Sequence, residues 1–158
     1  MTLLTAHDIT LLSEVHLPWR PRFAAVVDGM RAAGFNPKIS EAWRSPERQA
    51  LLLREGHTKV AWGPHNAVTP AGKPDACAID VIDAQHGWDA PRAFWMCLLA
   101  CALRGGLRTG ILFGLAGEER TEIKSAALRG DFDFHYKRGF DPAHVELVFP
   151  YDKLRDGL

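Results

Sequence analysis

At 158 residues with 47% apolar side chains, the chain is the length of one domain and can bury a single core without covalent staples. Its 19 basic and 19 acidic residues cancel, which excludes a chain-wide field for nucleic acid or anionic lipid and leaves recognition to a local site. No stretch approaches the length of an apolar membrane span, and residues 1–8 lack the basic start and apolar run of a secretory signal, so synthesis in the cytoplasm is the expectation.

The first predicted element is a short helix over 8–15, opened by Asp8 as a cap and broken at Pro18. Pro21 suits the first turn of a second helix, in which Phe23, Val26, Val27 and Met30 recur at helical spacing before Gly34 offers a left-handed stop. Residues 38–43 alternate like a strand. Ser45, Pro46 and Glu47 supply a capping hydroxyl, a first-position proline and early negative charge for a third helix ending at Gly56. Residues 57–75, rich in Gly, Pro, Asn and Thr, are too long for a routine connection and read as a functional loop.

Residues 76–82 form an apolar run of strand length with one charge, Asp80, which needs a partner. A strongly apolar helix spans 91–104 and ends at Gly105 and Gly106. Cys97 and Cys101 share one face of it, and with Cys77 they read as reduced core thiols. A strand over 109–113, a polar stretch over 117–139 and a last strand over 144–149 complete the chain. No repeat or linker composition divides it, so residues 1–158 are expected to form one domain.

The residues that carry chemistry are His65 in the loop, Asp80 in the apolar strand, and Asp141, His144 and Glu146 at the last strand. Two imidazoles and a carboxylate suit zinc and leave a tetrahedral position for water, which the metal acidifies for attack on a carbonyl. Asp141 is the first candidate for the proton carrier, because a turn containing Pro142 can bring it back toward a metal held by His144. Glu146 is the rival, since residues two apart in a strand share a face, and it can equally serve as a partner behind His144. Singly, each has an ordinary reading as a surface histidine, a turn former or a paired carboxylate, so the weight falls on the set.

In order along the chain stand Trp43-Arg44-Ser45-Pro46-Glu47-Arg48-Gln49, Pro64-His65-Asn66, Ala78-Ile79-Asp80-Val81 and Asp141-Pro142-Ala143-His144-Val145-Glu146-Leu147. This series resembles the zinc peptidases that include D-Ala-D-Ala carboxypeptidases and the L-alanyl-D-glutamate endopeptidases of bacteriophage endolysins, over roughly residues 34–149. The resemblance implies a Zn2+ cofactor held by His65, Asp80 and His144, Asp141 as catalytic acid/base, and Arg44 as a cation near the substrate or developing oxyanion. Gln49 would pack or hydrogen-bond behind the site. The chain departs from the family in the wider separation of His65 and Asp80 and in Gly63-Pro64 before the histidine, with extra residues around 68–74. That departure leaves His57 as a competing first ligand.

Of the remaining histidines, His7, His16 and His86 read as exposed or capping residues, whereas His135, amid alternating aromatics, is a candidate substrate contact. Trp43, Trp62 and Trp88 read either as core or as the lining of a groove. Asp83 lies on the opposite strand face from Asp80, which argues against a shared metal role.

These readings combine into an α+β domain, a small antiparallel sheet with helices packed to one side and a zinc cleft above the sheet. The implied activity is hydrolysis of peptidoglycan peptide stems by a monomer that neither binds nucleic acid nor enters a membrane. A phage or prophage lysis enzyme, reaching the wall after release, is the first expectation. The alternatives are a D-Ala-D-Ala carboxypeptidase of wall remodelling and a non-catalytic, zinc-stabilised wall-binding domain.

Overall fold

A computed structural model describes residues 3–136, 139 and 141–148. Helix α1 (Ala6–Leu12) is capped by Thr5 rather than by Asp8: Thr5 accepts from the Asp8 amide, and Asp8, at the third helical position, accepts from the Thr5 amide in return. A 3-10 turn, Leu17–Trp19, leads into α2 (Arg20–Ala32), which buries Phe23, Val26, Val27 and Met30, the stripe that helical spacing predicts. Strand β1 (Pro37–Glu41) follows, then α3 (Pro46–Arg54), whose Ser45 hydroxyl accepts from the Arg48 amide.

After the loop come β2 (Ala78–Asp83), α4 (Arg92–Arg104), β3 (Leu107–Gly110), α5 (Gly117–Leu128) and β4 (Asp141–Leu147). The four strands lie in the order β1-β2-β4-β3, every neighbouring pair antiparallel. This is the expected α+β domain. Three local expectations are corrected. Strand β3 lies over 107–110 instead of 109–113, and the polar stretch contains α5. Asp141, expected in a turn, is the first residue of β4. The expected strand end at Phe149 lies outside the described residues.

Side-chain alternation divides the two middle strands. Ile79, Val81, Ala143, Val145 and Leu147 are buried on the helix-facing side, with α4 behind them, while Asp80, His144 and Glu146 project to the other. The loop 57–77 closes over that second face. Within it residues 67–75 form a small closed excursion: Asp75 N donates to Ala67 O at 3.0 Å, Thr69 N to Lys73 O at 2.9 Å and Gly72 N to Thr69 O at 2.8 Å. Cys77 and Cys97 are buried and Cys101 is partly so, all as free thiols, and burial pushes the Cys77 thiol up to about 12.

Candidate metal centre

Asp80 and His144 are direct partners across the β2–β4 pair, so antiparallel register alone brings their side chains together on one face. His65 arrives from the 3-10 turn Pro64–Asn66, which is held from several sides. Arg44 N donates to His65 O at 2.8 Å, Cys77 N to Pro64 O at 2.8 Å, and the Asn66 amide spans Gly63 N (2.8 Å) and Arg44 O (2.9 Å). The histidine is therefore fixed by backbone as firmly as a strand residue.

The donor atoms form a nearly equilateral triangle. His65 Nε2 and His144 Nδ1 are 3.2 Å apart, and Asp80 Oδ1 is 3.3 Å from each. A tetrahedral zinc with bonds of about 2.0–2.1 Å separates its ligands by about 3.3 Å, so the triangle has the dimensions of one tetrahedral face. Hydrogen bonding behind the rings agrees. His65 Nδ1 is 2.6 Å from Ala42 O, which can only accept, so Nδ1 carries the hydrogen and the Nε2 lone pair points inward. His144 Nε2 donates to Glu146 Oε2 at 2.9 Å, leaving the Nδ1 lone pair inward as well. Two lone pairs facing each other beside a carboxylate repel unless a cation lies between them. The residues fit a divalent metal.

All three donors are buried, His65 to 4%, Asp80 to 7% and His144 to 6% exposure. Desolvation alone would raise the Asp80 carboxyl, but the charges and hydrogen bonds of His65 and His144 hold it far below the usual carboxylate range. Desolvation opposes charge on His144, yet hydrogen bonds and charge from Asp80 and Glu146 prevail and raise its imidazole to about 10, so without a metal a proton sits on Nδ1, and a bound metal ion would take its place.

Around this group, Glu146 is 3% exposed, with Oε1 clamped by the Arg108 guanidinium and Oε2 on His144. Burial raises its carboxyl, and His144 and Arg108 more than offset that, so it stays ionised. Of its two sequence roles, the geometry fits the partner behind His144; both oxygens are occupied. Asp141 Oδ2 is 4.0 Å from His144 Nδ1, and its side chain is 41% exposed, on the solvent side of the triangle. Burial lifts its carboxyl above the ordinary value and Asp80 adds to that, against the lowering pull of His144, His65 and Arg44.

Arg44 reaches the other side of Asp80, with Nη2 3.7 Å from Oδ2, and is itself held by Glu41 and by Gln49 Oε1 at 3.0 Å. Burial disfavours its charge, but Glu41, then Asp80 and Asp141, raise its pKa further. Gln49, 1% exposed, also donates to Val60 O at 2.7 Å, which ties the arginine to the loop.

The other candidates lie apart. The His57 side chain is 68% exposed beside Glu55, so the triangle forms with His65 and not with His57. His135 is exposed and outside the triangle. His7 hydrogen-bonds Ile39 O, His16 pairs with Asp75, and His86 pairs with Asp83, the last residue of β2, which stays outside the triangle. Trp88 is exposed, while Trp43 and Trp62 are partly buried. Sequence reasoning missed Arg108, the bracing role of Asn66 and the Ala42 carbonyl. Arg108 was open to discovery, because Glu146 on a buried face needs a cation; a backbone carbonyl leaves no mark in side-chain pattern.

No protein-family profile and no curated protein matches the chain. Among solved structures it is similar to the crystal structure of the Serratia marcescens L-Ala D-Glu endopeptidase ChiX, with a TM-score of 0.61 and 15% identity over 96% of this chain and 92% of that one. At that identity, the likeness shows a shared fold.

Proposed function

We propose that the chain is a zinc-dependent peptidase of peptidoglycan stems, of the L-alanyl-D-glutamate endopeptidase type, serving as a phage or prophage endolysin. The observation that carries the reading is the triangle of His65 Nε2, Asp80 Oδ1 and His144 Nδ1, sized for zinc and edged by a free carboxylate. Zinc held there supplies Lewis acidity, acidifying water and polarising a peptide carbonyl.

The remaining chemistry belongs to the chain. Asp141 Oδ2, beside the triangle and open to solvent, takes the proton from the attacking water and returns it to the departing amine. Its raised pKa suits a group that must hold that proton between the two steps. Arg44 holds Asp80 from the outside and adds a fixed positive charge where an oxyanion or substrate carboxylate approaches. Glu146 and Ala42 O set the imidazole tautomers. The endolysin role is supported by the sequence resemblance, and the likeness to ChiX supports the fold on which such a site is built.

The test is digestion of purified peptidoglycan by the zinc-loaded protein, with mass analysis of the new ends. New D-Glu amino termini support the endopeptidase; release of terminal D-Ala instead selects the carboxypeptidase. No cleavage by a protein that binds zinc in its native fold would refute the peptidase and leave the wall-binding domain.

A further inference from the structure

Next to the metal centre, along the outer edge of β3, a groove of about 600 Å³ lies between the sheet and α5. Leu103, Leu107 and Leu112 contribute its apolar lining, and Arg108, Arg120 and Lys124 its charge; no carboxylate of the described residues lines it. Arg108 is already committed to Glu146. Arg120 and Lys124, four apart on α5 and so on one helix face, have no ion-pair partner among the described residues. The fully buried Thr109, also in the wall, has a hydroxyl without a hydrogen-bond partner among the described residues.

The groove is joined to the chemistry through two of its own residues. The Phe113 ring lies 5.9 Å from the His144 ring, and Arg108 reaches His144 through Glu146. A peptide bound across the metal centre toward β3 therefore meets two cations that no described residue neutralises, over an apolar floor. We propose that this groove is a subsite for a carboxylate of an acidic peptide substrate, held by Arg120 and Lys124 with the neighbouring aliphatic part on the leucines. The proposal rests on the peptidase reading above and adds the substrate group that orients the stem.

The experiment compares the wild type with R120Q/K124Q, the charge-preserving R120K/K124R and the control E122Q on the exposed part of α5. Substrates are stem peptides with free or amidated side carboxylates. KM for the free-acid peptide is expected to rise about tenfold in R120Q/K124Q with kcat little changed, and to recover in R120K/K124R. Amidation should impose the same loss on the wild type and little further loss on R120Q/K124Q. Equal KM values for both peptides in all variants would overturn the subsite while the peptidase stands. If the wild type cuts neither peptide, the peptidase reading fails separately, and the subsite is judged by amide chemical shifts on titration with the uncut peptides. Shifts at Thr109, Arg120 and Lys124 with the free acid alone support it, and shifts with neither, or equally with both, overturn it.

Discussion

His65 Nε2 and His144 Nδ1 face each other across 3.2 Å, and the hydrogen on each ring is committed elsewhere, to Ala42 O and Glu146. The pair needs positive charge between its rings, either a proton on His144 Nδ1 or a metal ion in its place. Zinc at a hundredfold excess over its dissociation constant is expected to stabilise the fold by about 2.7 kcal/mol, a rise in Tm of roughly 5–10 °C. Thermal unfolding with zinc and with chelator checks this. His57→Ala should retain the shift and His65→Ala should lose it; the reverse pattern would contradict the triangle.

Asp141 sits beside the donors without completing their triangle. Asp141→Asn is expected to keep stoichiometric zinc and lose about 10²- to 10⁴-fold in kcat. Metal analysis and turnover of one preparation separate the two effects. Loss of zinc along with activity would make Asp141 a ligand instead.

Glu146 fixes the ring of His144 from behind, and Arg108 fixes Glu146. Glu146→Ala is expected to weaken zinc binding about 10- to 100-fold. Arg108→Ala, removing a half-exposed cation one step farther out, should cost less. Competition against a chromophoric chelator ranks the two.

Gly110 pairs with Asp141 where the β3–β4 register shifts. A Cβ at Gly110 would overlap the Asp141 carbonyl oxygen and lie 2.7 Å from its carbon. Gly110→Ala is therefore expected to cost about 1–3 kcal/mol in urea unfolding and to reduce turnover by moving Asp141. A variant with parental stability and turnover would contradict this packing.

Asp8, fully buried, accepts from Thr5, from Ile39 N and from Arg31 at 2.7 Å. Desolvation raises its carboxyl, but these bonds together leave it below the ordinary 3.8. The folded protein thus binds fewer protons than the unfolded chain between the two values, so stability rises with pH in that window. The contribution is fully present above the ordinary value and is lost as pH falls through the folded one. Asp8→Asn should lower stability at pH 7 and flatten its acid dependence, read by urea unfolding from pH 7 to pH 3.

Asp80 and His144 were legible as anomalies in their surroundings, whereas His65, in a polar loop, was placed only by the order of the motifs and left His57 open. Asp80 is a lone charge in an apolar strand, and His144 and Glu146 share the face of a strand otherwise built for burial. Helix α5 was illegible for the opposite reason. Its buried residues are Ile123, Ala126 and Ala127, too small and too few to mark a stripe among its charges, and no side chain at Ala116 caps it. Asp141 was read as a turn residue because Pro142 follows it, yet proline near a strand's first residues is tolerated. Strand order was equally hidden: nothing local in Asp80 or His144 states that β2 and β4 are adjacent.

The extra residues between His65 and Asp80 close on themselves, with Asp75 N returning to Ala67 O before the chain re-enters the sheet. Their tip, at Ala71 and Gly72, is exposed and turns on the positive φ of Gly72. The protein thereby offers a port for genetic grafting. A reporter peptide or a tether spliced in at that tip would travel with the protein while its metal centre keeps its spacing.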